Sequence, residues 1–140
     1  MLESLARADV HDLARNWADG RIKMFLTQRV SQFRREHIEL FQHGEYLPLT
    51  PSGTLAECCV SFARELEHQW IIVIAPRLSS NIGFPPIGES WKDTIIELPE
   101  TLPLAHVHDL FTCRPIPVQN RRVKLADALS ILPFAVITNL

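Results

Sequence analysis

Two histidines two residues apart, His106 and His108, followed by Asp109, form the most metal-like cluster in the chain. Residues two apart on a strand share a face, so both imidazoles would look at one ion. A zinc site needs a third and usually a fourth protein ligand, and no nearby Cys or His has the expected spacing. Cys113 is close in sequence but would lie past the strand end. The expectation is therefore no metal and no other cofactor. Cys58 and Cys59 are neighbours, whereas a redox dithiol separates its cysteines by two residues. On a strand they would point to opposite faces, which suits buried small apolar side chains. A Gly-x-Ser-x-Gly elbow is missing, and with 5 glycines in 140 residues so is a Gly-rich phosphate loop. What remains is stacking. Trp91, just after a Pro/Gly loop, could lay its ring on a sugar, as could Trp17 or Trp70; the competing role for all three is core or edge packing. Trp91 is the one substrate-binding candidate, and no residue is assigned to catalysis.

The elements that would position these groups follow from hydropathy. At 46% hydrophobic and 21% charged residues, the composition is globular and argues against disorder. A net charge of −2 gives no reason to expect nucleic acid, and the basic residues between Arg21 and Arg35 read as the solvated side of a helix. The longest apolar runs, such as Trp70 to Ala75, are far too short to span a bilayer. The N-terminus lacks a cationic start followed by an apolar block, and three cysteines are an odd number, so a reduced cytoplasmic setting is expected.

Leu2, Leu5, Ala6, Val10, Leu13, Ala14 and Trp17 recur at near-helical spacing and predict a first amphipathic helix. After Asp19-Gly20, a helix-start signal, Ile22, Phe25, Leu26, Val30 and Phe33 predict a second. The pattern breaks at Gly44 and resumes as Tyr46-Leu47-Pro48-Leu49, an extended stretch. Beyond it, breakers come regularly and short β-prone runs lie between them. Cys58, Val60 and Phe62 alternate with Glu57, Cys59 and Ser61, the pattern of a half-buried strand. Trp70 to Ala75 is continuously apolar and predicts a central strand buried on both faces. Residues 94–98, 107–112, 121–125 and 134–138 complete the set, with 126–132 either a helical turn or a loop. The fold class is therefore α+β: two N-terminal amphipathic helices, then an antiparallel β-sandwich. The boundary falls between residues 1–43 and 44–140. Residues 79–90, SSNIGFPPIGES, form a long irregular loop, and loops of that length tend to be functional or mobile.

Trp17-Ala18-Asp19-Gly20-Arg21-Ile22-Lys23, then Arg34-Arg35, Leu40-Phe41, Gly44, Tyr46 and Pro48-Leu49, resemble the malto-oligosyltrehalose synthase family near its C-terminus. There the last barrel helix leads into a terminal β-domain. Phe62-Ala63-Arg64, Ala75-Pro76-Arg77-Leu78, Gly88-x-x-Trp91-x-Asp93-Thr94, Leu98-Pro99 and Leu132-Pro133-Phe134-Ala135-Val136 continue the likeness in the same order over nearly the whole chain. His37-Ile38 stands where a proline would be expected nearer Leu40-Phe41, and the Cys58-Cys59 pair is outside the pattern.

The resemblance implies an α-amylase-clan isomerase that converts the reducing-end α-1,4 bond of a malto-oligosaccharide into an α,α-1,1 bond. Glycoside chemistry of this kind needs two carboxylates facing the sugar, carried in such enzymes at the ends of barrel strands. Neither those motifs nor a barrel is present here. The chain alone is thus expected to be inactive, a non-catalytic C-terminal domain that packs on the missing catalytic barrel. The alternatives are a free-standing sugar-binding β-module and a subunit that completes a barrel enzyme in trans. Helices that cover a barrel would leave apolar faces partly exposed, so a homo-oligomer through residues 2–33 is expected as well. Malto-oligosaccharide is the ligand considered; nucleic acid and membrane are not expected as partners.

Overall fold

The run from Trp70 to Ala75 is apolar at every position, which suits a strand with a core on each side, and it forms such a strand with the rest of the sheet around it. The computed structural model describes residues 9–140, with strands β1 (Glu45–Leu49), β2 (Cys59–Leu66), β3 (Gln69–Pro76), β4 (Ile95–Glu97), β5 (His108–Asp109), β6 (Arg122–Lys124) and β7 (Ala135–Thr138). Five of them make one antiparallel sheet in the order β1-β2-β3-β7-β5, with β3 in the middle, and β4 pairs with β6 in a second sheet. Alternate residues of β3 divide between two cores. Trp70, Ile72 and Ile74 pack with Ile96 and Val123 of the small sheet and with Ala135 and Ile137 of β7. Ile71 faces the other way, with Val136 and the helices. Two sheets thus share one core as the sandwich expectation requires, but a second sheet of two strands leaves the sandwich unclosed.

Helices α1 (Val10–Arg15), α2 (Arg21–Glu36) and α3 (Ile38–His43) cover the outer face of the large sheet, and a short α4 (Leu125–Ala128) follows β6. Leu13, Ile22, Phe25 and Phe33 pack on Ile71, Leu110, Phe111 and Val136. The sheet itself therefore takes up much of the two apolar stripes that the sequence leaves needing a partner, each fully buried aliphatic or aromatic being worth about 1.5–3 kcal/mol. Leu2, Leu5 and Ala6 of the expected first helix lie outside the described residues. Among the described residues, no helix is long and apolar enough to cross a membrane.

Several local expectations need correction. In β2 the buried face is Cys59, Ser61 and Ala63, while Val60 is 46% exposed and Cys58 belongs to the preceding 3₁₀ turn. Pairing with β1 and β3 sets this register, and it places Phe62 beside Tyr46 on the outer side, ring centroids 5.3 Å apart. The run 107–112 yields only two strand residues. Thr112 curls back so that its N–H and hydroxyl both donate to the Asp109 carboxylate at 2.8 Å, and Cys113 N–H donates to the Asp109 carbonyl. The helical stretch breaks at His37, which leaves helical geometry before α3 starts. Residues 126–132 begin as a helical turn, since α4 runs to Ala128.

Candidate functional site

Most of the residues with chemical potential are used internally. The His108 ring lies with Nδ1 2.8 Å from the His106 carbonyl oxygen, a partner that can only accept, so that nitrogen carries the proton. His106 itself is exposed, and its backbone is left-handed. Among the described residues no group of three or more His, Cys, Asp or Glu side chains is arranged to hold a metal ion. Cys58 and Cys59 are buried and unpaired; burial, with Cys58 alongside, pushes the Cys59 thiol up to about 11, which makes it a poor nucleophile.

Asp109 is buried, its Oδ1 has no hydrogen-bond partner among the described residues, and Oδ2 takes both Thr112 donors. Burial raises its pKa, with the two Thr112 bonds working the other way. The folded state therefore holds this proton to higher pH than the unfolded chain does. Asp109's share of stability falls as pH rises above the ordinary carboxylate value of about 3.9 towards the raised folded value, and stays lost beyond it. In urea melts at acid and neutral pH, Asp109→Asn should gain stability relative to the parent as pH rises. A difference that is constant, or that moves the other way, rejects this account.

Trp91, the sugar-stacking candidate, is 0% exposed, and its indole N–H donates to the Pro86 carbonyl at 2.7 Å. A ring packed on both faces offers nothing to a ligand, so a sugar would reach it only if loop 79–90 opened. Trp70 is equally buried, with its indole N–H on the Pro103 carbonyl. The neighbours of Trp91 in its motif are structural too. Asp93 accepts from Thr54 N–H, which holds its carboxyl below the usual range, and the Thr94 hydroxyl accepts from Leu55 N–H. Arg64 likewise donates to the Phe41 carbonyl at 2.8 Å and ties the end of α3 to β2.

Trp17 differs. Since α1 stops at Arg15, Trp17 falls on the 3₁₀ turn Trp17–Asp19 and is 54% exposed. That turn is fixed by charge. Asp19 accepts from the Arg21 backbone N–H at 2.9 Å and from its Nε at 2.7 Å, contacts that keep the Asp19 carboxyl below its ordinary range, and Arg21 also reaches Asp12 of α1. Across from Trp17 stands Phe84 of the long loop, 68% exposed, with ring centroids 5.0 Å apart in an edge-on contact. The two rings help to line a groove of about 340 Å³, together with Leu26 of α2, Pro85 and Ile87 of the loop, and Ile131 and Phe134 before β7. Its lining is almost entirely apolar. Sequence reasoning points to loop 79–90 but not to Phe84, although an aromatic side chain inside a Gly/Pro segment is a signal that could have found it.

No protein-family model matches this sequence, and no curated protein matches it. Solved structures do. Maltooligosyltrehalose synthase from Arthrobacter ramosus superposes on 92% of this chain with a TM-score of 0.62 at 20% identity. A point mutant of the same enzyme gives 0.65 at 22% identity over the same share. At that identity the likeness is one of fold. The chain spans 16% of the length of those proteins.

Proposed function

We propose that this chain is a non-catalytic C-terminal module of a malto-oligosyltrehalose-synthase-type enzyme, and that it packs on the catalytic barrel through the Trp17–Phe84 groove. The observation that carries the reading is the pairing of fold and coverage: nearly all of this chain is matched, yet it corresponds to a small fraction of the enzyme. The ordered motifs of the sequence support a place at the C-terminal end, with residues 1–43 as the junction to the barrel and 44–140 as the β-domain. The reaction served would be the isomerisation of a reducing-end α-1,4 bond to α,α-1,1. A cytoplasmic setting belongs to the same proposal, supported by three unpaired cysteines.

The groove fits the docking role because its lining is almost entirely apolar and includes two large, exposed aromatic side chains, Trp17 and Phe84. Buried aromatic anchors of that kind carry about 2–4 kcal/mol each at interfaces. In the isolated chain the same face is open to a second copy, which supports a homo-oligomer until the barrel covers it.

The test uses a maltooligosyltrehalose synthase truncated to remove the matching segment. The chain should bind it, and loss of reducing ends from maltohexaose should appear in the mixture and not with this chain alone. The Trp17→Ala/Phe84→Ala variant should bind at least about 100-fold more weakly, the weakening that about 2.7 kcal/mol gives. Its melting temperature should stay close to the parent's, and any dimer seen by light scattering should dissociate. Activity of the chain alone would overturn the non-catalytic assignment, and undiminished binding by the double variant would overturn the groove.

A further inference from the structure

A second cleft, sharing no residue with the apolar groove, lies against the small sheet. β6 alternates: Val123 points into the core, and Arg122 and Lys124 point outwards. The chain enters β6 through a tight turn in which Gln119 and Arg122 exchange both backbone hydrogen bonds, at 3.1 and 2.9 Å. The two residues between them, Asn120 and Arg121, have φ of 50° and 57°. Successive left-handed residues are what a type I′ turn requires; Asn tolerates that conformation and Arg does not favour it. Arg121 is kept there by its guanidinium, which donates to the carbonyls of Leu98 (3.3 Å), Leu102 (2.7 Å) and Pro99. The turn is therefore pinned from below by one side chain while its other side chains stay free.

Those free side chains converge. Gln119, Asn120, Arg122, Lys124 and, from α4, Asp127 line a cleft of about 280 Å³. None of the five side chains bonds to another group among the described residues. Five unspent polar groups, carried by the pinned turn, by β6 and by α4, thus face one cleft and are free to bond a ligand. Their mixture selects the ligand class. Asp127 opposes an anion, Arg122 and Lys124 oppose a cation, and amides beside charged donors and a charged acceptor suit hydroxyls, which donate and accept at once. Ile95 and Pro117 add apolar surface for the C–H side of a ring. The volume lies just below the usual range of ligand clefts, about 300–1,000 Å³, which fits a short sugar end better than an extended ligand.

We propose that this cleft is a secondary carbohydrate site that takes a glucosyl unit of an α-glucan. That the sugar is an α-glucan rests on the function proposed above; that the ligand is a neutral polyol rests on the cleft alone. The site would hold the polymer near the enzyme without touching the bond that reacts.

The experiment is a titration of the isotope-labelled chain with maltohexaose, read by amide NMR, with cellohexaose and inorganic phosphate as the other two probes. Maltohexaose should shift the signals of residues 119–127 saturably, with a dissociation constant of about 1 mM, which is about −4 kcal/mol. The Asn120→Ala/Asp127→Ala variant should weaken binding at least about tenfold. Lys124→Ala, which removes one exposed side chain, gives the same reading should the double variant fail to fold. Equal response to cellohexaose keeps the polyol site and overturns the α-glucan assignment. Shifts elsewhere, a response to phosphate in place of sugar, no shift at all, or unweakened binding by the variants would overturn the site. Docking to the truncated synthase is read separately, so a chain that docks and ignores sugar loses only this inference, and one that binds sugar without docking loses only the groove.

Discussion

Gly44→Ala is expected to lower the melting temperature by about 10 °C, the effect of about 3 kcal/mol in a chain of this size. The residue sits where α3 passes into β1, with φ −62° and ψ 141°, an extended conformation that alanine adopts freely. On backbone entropy alone the substitution should stabilise, by about 0.4–1 kcal/mol. Space decides otherwise. A Cβ on Gly44 would lie 2.2 Å from the Leu40 carbonyl oxygen and 3.3 Å from that of Glu65. Both are backbone atoms, one in the last turn of α3 and one in β2, so the helix end must move off the sheet. Arg64 would then lose its hold on the Phe41 carbonyl. Thermal melts followed by circular dichroism check this. A fall of less than about 3 °C, or roughly 1 kcal/mol, would mean that the junction yields easily and that glycine is not required there.

The same junction shows what the sequence made legible. The break after Phe41 was visible because helical spacing stops at Gly44 and a Pro-marked run begins, and no helix continues through that. β3 was visible because continuous apolarity has one cheap solution, burial on both faces. The buried face of β2 was not, since its alternating pattern is apolar or small on both sides and only cross-strand register chooses between them. Thr112 curls back and ends the strand after Asp109 through a side-chain bond that no hydropathy pattern reveals. The candidate sites were harder still. Trp91 and Trp17 look alike in sequence as tryptophans beside turn residues, yet one ends at 0% exposure and the other at 54%. Phe84 and the polar side chains around Asn120 gain their meaning only from neighbours far along the chain.

That contrast yields the second large effect. Trp91→Ala should cost about 3–5 kcal/mol, as large-to-small changes of buried aromatics do, and lower the melting temperature by about 10–15 °C. Trp17→Ala should stay within about 0.5 kcal/mol, as exposed positions do. Trp91→Phe separates the parts of the larger loss. It keeps a ring in the core and removes the N–H that serves the Pro86 carbonyl, so it should cost about 1–3 kcal/mol. The bond it removes is also one of those that tie loop 79–90 to the core. Pro86 is flanked by Pro85 and Ile87 of the groove wall, and Gly88 N–H holds the loop's end to the Leu129 carbonyl at 2.9 Å. Both Trp91 variants should therefore speed proteolytic cleavage near Phe84 at temperatures where the rest of the chain stays folded. They should also weaken docking to the truncated synthase although Trp91 is fully buried. Faster cleavage without weaker docking would separate the loop from the interface, and slower or unchanged cleavage would show that the indole bond does not position it. The tryptophan that the sequence offered for sugar would then act one step back, as the core residue that holds Phe84 against Trp17.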